Sequence, residues 1–321
     1  MYENNIFDML KAGDCVVVAG HTSPDGDAVG AALGLALALN QKGVKVNVLL
    51  EEYAERFDFI QGKEFIYKGD YSMLSPKIFF AVDCGDTERL GRAAEVFNKA
   101  EVTYNIDHHI SNTSFAQYNI VNPKASSASE IVYEIVKDKC QVTVDMATAL
   151  YSGLVFDTSG FKHNSTSRST HIAAGEMVEL GVDTAFIHSK ILYEHSLSQF
   201  KVMRTALNNV HLIENGDIIY TVITKEELDR CGAKNGDTDG VAEYLLNLRG
   251  VKVSALITQR EENKVKISLR SKKYNVNKVA SAFGGGGHIL AAGATSFLPL
   301  EQTVNTLIDR IKEEITNEEQ Q

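Results

Sequence analysis

The sequence predicts an α/β protein in two parts: an N-terminal parallel-sheet α/β domain and a smaller C-terminal α/β domain with a mixed sheet. Two observations carry this. Through the first half, short apolar runs alternate with helix-like stretches, the pattern of a parallel sheet covered by helices. Beyond about residue 210, short alternating segments follow one another closely, which suits strands with antiparallel neighbours. At 321 residues and 44% apolar content, the chain can bury a core in each part.

Taken in order, DCVVVAG (14–20) reads as a buried strand and AVGAALGLALALNQKG (28–43) as a helix ended by Gly43. VKVNVLL (44–50), KIFFAVD (77–83) and VTYNID (102–107) read as further strands. Ser-rich ASSASE (125–130) suits the cap of a helix running toward Lys139, and DMATALYSGLVFDTSG (145–160) reads as a helix that delivers Asp157 near its end. The stretch from Thr184 to Val210 has few breakers and reads as a helical connector, giving domains at 1–185 and 213–321 with the connector at 186–212. DIIYTVITKEEL, VKVSALITQRE and NKVKISLRS then supply strands, TVNTLIDRIKEEI a closing helix, and NEEQQ a frayed, solvated tail.

Bulk properties exclude several classes. The N-terminus MYENNIFDML lacks a basic segment followed by an apolar one, and no window approaches the length of a membrane span, so the expectation is a cytoplasmic protein with no membrane partner. Cys15, Cys84, Cys140 and Cys231 lie far apart with no C-x-x-C pair, which argues against a disulfide framework or structural zinc site. A net charge of −10 disfavours long duplex nucleic acid, whose non-specific affinity comes from phosphate neutralisation. Any polyphosphate substrate is therefore expected to be short, or held by a local basic patch.

The chemistry-bearing residues of the first half stand at or just beyond strand ends, where open parallel sheets bind ligands. His21, Asp25 and Asp27 occupy HTSPDGD, Asp83 ends the apolar run of AVDCGD, Asp107, His108 and His109 are consecutive, and Asp157 lies in GLVFDTSGF. Alone, Asp25 and Asp27 are accounted for by helix capping, and the His pair by a surface turn. Together they make a set that mixes imidazole with carboxylate, which favours a transition metal over Mg or Ca. Two cations about 3.5 to 4 Å apart suit in-line displacement at phosphorus. A dinucleotide-binding dehydrogenase fails at the first turn, where HTSPDGD stands in place of G-x-G-x-x-G.

In the second half, GGGGHILAAG (284–293) could bring backbone amides close to an anion, with His288 as a further donor; a flexible turn explains a bare glycine run as well. Nine basic residues between Arg249 and Lys278 face only Glu261 and Glu262 in sequence. Arg270 in SLRS is the one singled out, because its planar fork suits phosphate and can stack on a base.

In order and spacing, HTSPDGD, VDCGD, the Asp-His-His and the Asp157 segment resemble the four motifs of the DHH phosphoesterase family, and GGGGH resembles the signature of the DHH-associated domain. The resemblance covers nearly the whole chain. It implies two divalent cations, manganese by preference, one held by His21, Asp25 and Asp83 and the other by Asp27, Asp83, His108 and Asp157, with Asp83 bridging. It implies that His109 faces the substrate phosphate, that Asp107 orients the imidazoles, and that Arg270, His288 and Gly285, Gly286 and Gly287 hold a distal nucleotide across an active-site cleft between the domains. Ser126, Ser127 and Ser129 resemble a family segment near the site, though helix capping explains them nearly as well. The branch most resembled acts on very short RNA oligonucleotides, releasing 5′ mononucleotides, and on adenosine 3′,5′-bisphosphate (pAp), giving AMP. Linear or cyclic dinucleotides such as pApA and cyclic di-AMP are the alternative, and a non-catalytic nucleotide-binding regulator is the reading from another class. A homodimer is compatible with all of them.

Overall fold

The structure is a computed structural model that describes residues 6–234 and 236–319. The chain divides into two compact units, Met1–Glu194 and His195–Gln321.

In the first unit, β1 (Cys15–Ala19), β2 (Lys45–Leu49), β3 (Ile78–Val82), β4 (Val102–Asp107) and β5 (Tyr118–Val121) form an all-parallel sheet in the order β2-β1-β3-β4-β5. Four of these are the expected strands. The fifth, YNIV, has no apolar run to announce it and buries only Ile120. The period-2 alternation of strand side chains divides the core. Val16, Val18, Ile78, Phe80, Val82 and Ile106 face one way, and Val17, Ala19, Phe79 and Ala81 the other.

The first face is covered by α1 (Gly26–Asn40), and the second by Val96 and Phe97 of the short α2 (Ala94–Phe97). α1 begins two residues earlier than its apolar pattern suggests because Asp25 caps it, and it ends at Asn40, where residues 41–43 turn away and Gly43 takes a φ of +70°. α3 (Ala128–Val136) and α4 (Val144–Asp157) join α1 on the same core, followed by α5 (Arg168–Glu179) and α6 (Thr184–His188). α1 and α4 approach so closely that a Cβ on Gly30 would stand 2.5 Å from Ala149 O and 3.0 Å from Gly153 N. Only glycine permits that contact, and the contact sets the N-terminal turn of α1 beside the C-terminal half of α4.

The unbroken helix expected from Thr184 to Val210 is absent. α6 passes into a single π turn at Ser189–Tyr193, the chain extends at Glu194, and α7 (Leu197–Asn208) restarts with Ser196 and Gln199 as a reciprocal capping box. A strong N-cap signal inside an apparently continuous helix is a start sign, and it overrides the lack of Gly or Pro.

The second unit carries β6 (Val210–Ile213), β7 (Ile218–Ile223), α8 (Lys225–Cys231), α9 (Val241–Leu246), β8 (Val253–Glu261), β9 (Lys264–Ser271), α10 (Val276–Ser281), β10 (Gly286–Gly287), β11 (Ala291–Ser296) and α11 (Leu300–Glu319). Its sheet runs β10-β11-β9-β8-β7-β6, parallel only between β7 and β8. The tail is not frayed as expected through Glu319. α11 continues to that residue, whose carboxylate accepts from Tyr274 Oη at 2.8 Å and Lys252 Nζ at 2.8 Å; Gln320 and Gln321 lie outside the described residues. The basic run is likewise less bare than its sequence neighbours imply, because Lys252 also pairs with Asp217 and Lys278 with Glu314.

Candidate metal centre

The sheet order reverses between β1 and β3, and such a switch point opens a crevice at the strands' carboxyl ends. His21 follows β1 and Asp83 follows β3, so the fold itself brings them to the crevice. His21 Nε2 lies 3.5 Å from Asp83 Oδ2 and 3.8 Å from Asp25 Oδ2. His108, just past β4, has its Nε2 3.5 Å from Asp83 Oδ1, 3.9 Å from Asp27 Oδ2 and 3.2 Å from Asp157 Oδ2. Three overlapping groups of possible ligands therefore form: His21 with Asp25 and Asp83, Asp27 with His108 and Asp157, and Asp83 with Asp107, His108 and His109. The two oxygens of Asp83 point one toward His21 and one toward His108.

Local structure explains how each carboxylate is aimed. Asp25 does cap α1, its Oδ1 accepting from Asp27 N (2.9 Å) and Ala28 N (3.2 Å), so capping and membership of the cluster coexist. Asp27 has no exposure and is not a cap. It lies in the first turn of α1, and its carboxylate instead accepts from Ala128 N (2.6 Å) and Ser129 N (2.9 Å), the unsatisfied amides that open α3. Asp157 rides the end of α4. Asp83 adopts φ +53°, a left-handed conformation that costs a non-glycine residue energy, and its backbone N–H donates to Ile106 O at 2.9 Å.

The electrostatics are those of a cluster short of positive charge. Burial and the charge of Asp83 push Asp27 up to about 7. Burial also pushes Asp157 well above the usual carboxylate range. At Asp83 burial is outweighed by the facing imidazoles of His108 and His21, which hold it well below that range. Burial opposes the charging of His21, but Asp25 and Asp83 overcome it and raise the imidazole to about 10. His108 is raised well above its ordinary value in the same way, with Asp83 and Asp157 overcoming burial. Asp83 Oδ1 is buried with no hydrogen-bond partner, so the carboxylate at the centre is incompletely satisfied by protein. An orphaned carboxylate oxygen among imidazole nitrogens and further carboxylates is a donor set that fits transition-metal cations.

His109 behaves differently from His108. Its Nδ1 donates to Asp107 Oδ1 at 2.7 Å and lies 3.6 Å from Asp83 Oδ1. Asp107 is fully buried and also accepts from Asn112 Nδ2 at 2.6 Å. Asn112 and Asn105 are not among the residues that sequence reasoning singles out. Asn105 carries a usable signal, since it shares a strand face with Asp107 two positions on, but Asn112 lies in a loop with none. Glu130 is likewise unannounced. Its buried carboxylate accepts from Ser126 N and Oγ, Ser169 Oγ and Thr170 Oγ1, which anchors the start of α3 to α5. Ser127 is the α3 cap, as the Ser-rich segment suggests.

In the second unit, Arg270 is half-buried on β9, its Nη1 donating to Leu269 O at 2.9 Å. Burial lowers its pKa against the opposing charges of Glu243 and Asp239. The glycine run is no flexible turn. Gly286 and Gly287 pair with Gly293 and Ala292 as an edge strand, and a Cβ on Gly285 would collide with Gly293 O. His288 is exposed at the tight turn into β11, its N–H donating to Ala291 O at 2.7 Å, and Ala291 is in turn the cross-strand partner of Arg270.

A buried set of carboxylates and imidazoles at the switch point of a parallel sheet is a site that could hold metal cations. Comparison with known proteins narrows it. Residues 15–154 match the DHH family N-terminal domain and residues 215–317 the DHHA1 domain. The bifunctional oligoribonuclease and PAP phosphatase NrnA of Thermus thermophilus is 30% identical over 318 residues, covering 97% of this chain and 94% of that protein. The cyclic-di-AMP phosphodiesterase GdpP of Geobacillus thermodenitrificans is 30% identical over 310 residues, covering 89% of this chain and 45% of that protein. Among solved structures, an exopolyphosphatase-related protein of Bacteroides fragilis matches with TM-score 0.86 at 26% identity, covering 94% of this chain and 92% of that one. The chain belongs to the DHH family, and it is a hydrolase of phosphoric ester bonds. Among the described residues no helix is long and apolar enough to cross a membrane.

Proposed function

We propose that this protein is a manganese-dependent phosphoesterase that degrades very short oligoribonucleotides to 5′ mononucleotides and converts pAp to AMP. The observation that supports the reading is that His21 and His108 face opposite oxygens of Asp83, each within its own group of possible ligands. His21, Asp25 and Asp83 would hold one, and Asp27, Asp83, His108 and Asp157 the other. When bound, such cations activate water as a nucleophile and offset charge on the phosphoryl oxygens. The chain's own residues do the rest. α3 fixes Asp27 through two backbone amides, so that carboxylate keeps its place as the site charges and discharges. Asp107 accepts from His109 Nδ1, which fixes the orientation of that ring, and the side chain, 21% exposed, is the candidate contact for a substrate phosphate.

The substrate class rests on the names of relatives and on charge. A chain of net charge −10 suits a short anionic substrate better than a long one. Arg270, His288 and Gly285 to Gly287 are the nucleotide-binding candidates of the second unit. All four cysteines are free, which suits the cytoplasm. The similarity to GdpP favours a second reading, hydrolysis of cyclic di-AMP or pApA by the same metals. A parallel assay with Mn²⁺ on pAp, pApA, cyclic di-AMP and a five-nucleotide RNA decides between them by kcat/KM. The first reading expects pAp and the RNA to lead, and dominance of cyclic di-AMP replaces it with the second. No turnover of any of the four defeats both.

A further inference from the structure

We propose that Asn112, backed by Asn105, is a positioning residue that aims His109 at the substrate and ties that aim to the turn carrying Asp83. The inference rests on the reading of His109 as the phosphate-facing group.

The geometry leaves little choice of roles. Ser114 N can only donate, and it donates to Asn112 Oδ1 at 2.7 Å. The other end of the amide, Nδ2, therefore faces inward, where it donates to Asp107 Oδ2 (2.6 Å) and Asn105 Oδ1 (2.7 Å) and makes a longer contact to Cys84 O (3.3 Å). Asn105 is fully buried, and its own Nδ2 donates to Cys84 O at 3.0 Å. Cys84 directly follows Asp83, the residue held at φ +53°. One chain of hydrogen bonds thus runs from the turn behind Asp83, through two asparagines, to Asp107 and on to His109.

Each oxygen of Asp107 meets a short donor, His109 on Oδ1 and Asn112 on Oδ2. That pair of contacts fixes the rotation of the carboxylate and keeps it an acceptor. An acceptor at Oδ1 obliges His109 to carry its proton on Nδ1, with Nε2 on the outward edge. Removing the Asn112 donor leaves a buried carboxylate oxygen unsatisfied, and the side chain gains a reason to turn. Asn105 still donates to Cys84 O in that case, while the longer Asn112 contact to the same oxygen is lost.

Asn112→Asp keeps the side chain's shape and the acceptor for Ser114 N, but loses both inward donors. It is expected to lower kcat on a small chromogenic phosphodiester by about 10- to 100-fold, with KM and Mn²⁺ binding by calorimetry close to wild type and a lowered melting temperature, since an acidic group then faces the buried Asp107. Asn112→Ser, whose hydroxyl can replace the Ser114 contact, carries the same expectation should the Asp variant fail to fold. In a His109→Ala background either substitution should have almost no further effect on kcat, because the residue acts through His109. Independently of activity, the imidazole ¹⁵N resonances of His109 in the Mg²⁺-loaded protein should report the Nδ1–H tautomer in the wild type and a mixture in the variants. Wild-type kcat in both variants, or a full additional loss on top of His109→Ala, overturns the inference. So does a loss of Mn²⁺ affinity matching the loss of kcat. If His109→Ala itself has wild-type activity, the reading of His109 has failed instead.

Discussion

Gly153 on α4 offers a sharp test of how the site is assembled. Helix propensity alone favours alanine there by about 1 kcal/mol. A Cβ at this position, however, would run into Ser129 Oγ and stand 2.6 Å from Asp27 Oδ1 and 2.8 Å from Ser129 Cβ. Neither neighbour can swing aside, since both residues are fully buried and Asp27 is bonded to the first amides of α3. Overpacking of this kind costs about 1 to 3 kcal/mol, so Gly153→Ala should be net destabilising by roughly 0 to 2 kcal/mol. The displaced atoms include a proposed ligand oxygen, so Mn²⁺ affinity should fall more than stability does. Gly175 is the control. It sits in α5, exposed, with nothing within 4 Å of where a Cβ would stand, so Gly175→Ala should stabilise by about 1 kcal/mol, or about 2 to 4 °C in melting temperature. Circular-dichroism melts and Mn²⁺ calorimetry on the two variants suffice. If Gly153→Ala gains as much stability as Gly175→Ala and binds Mn²⁺ like the wild type, the close packing of α1, α3 and α4 does not set the site.

Asp83→Asn should abolish turnover while circular dichroism remains native; retained activity removes Asp83 from the bridging position. In chelated protein, His21 is charged up to about pH 10, well above its ordinary 6.5. The stabilisation from its pairing is therefore complete below about pH 6.5 and lost as the pH climbs toward 10. Melting temperature of the chelated wild type should decline over that window and that of His21→Asn should decline less; parallel curves contradict the assignment. Arg270→Ala should raise KM for dinucleotides more than it slows a small chromogenic phosphodiester, and equal loss on both would make Arg270 structural.

The parallel sheet is legible because its central strands are buried on both faces and so read as unbroken apolar runs, as Ile78–Val82 does. β5 is not, being a polar edge strand. The ligand candidates are legible because chemistry demands particular residue types at strand ends. What supports them is not. The amides of Ala128 and Ser129 have no sequence signature, Asn112 is one loop asparagine among several, and the acids that pair with Lys252 and Lys278 come from Asp217, Glu319 and Glu314, far away in sequence. Contacts between distant segments depend on the fold, whereas caps and strand ends are local.

Asp83 joins these two kinds of information. Its position after a buried strand marks it in the sequence, but its left-handed backbone does not. Glycine would take that conformation without strain, but the bridging role proposed for Asp83 needs a carboxylate. The strain, on the order of 1 to 3 kcal/mol, must be held by neighbours. Asp83 N donates to Ile106 O, and Cys84 O accepts from Asn105, so both sides of the strained residue are pinned to β4. β4 also carries Asp107 and leads directly into His108 and His109. The strand that restrains the Asp83 carboxylate is thus the one that delivers His108 and His109, so their spacing from it is fixed by sheet geometry rather than by loop conformation.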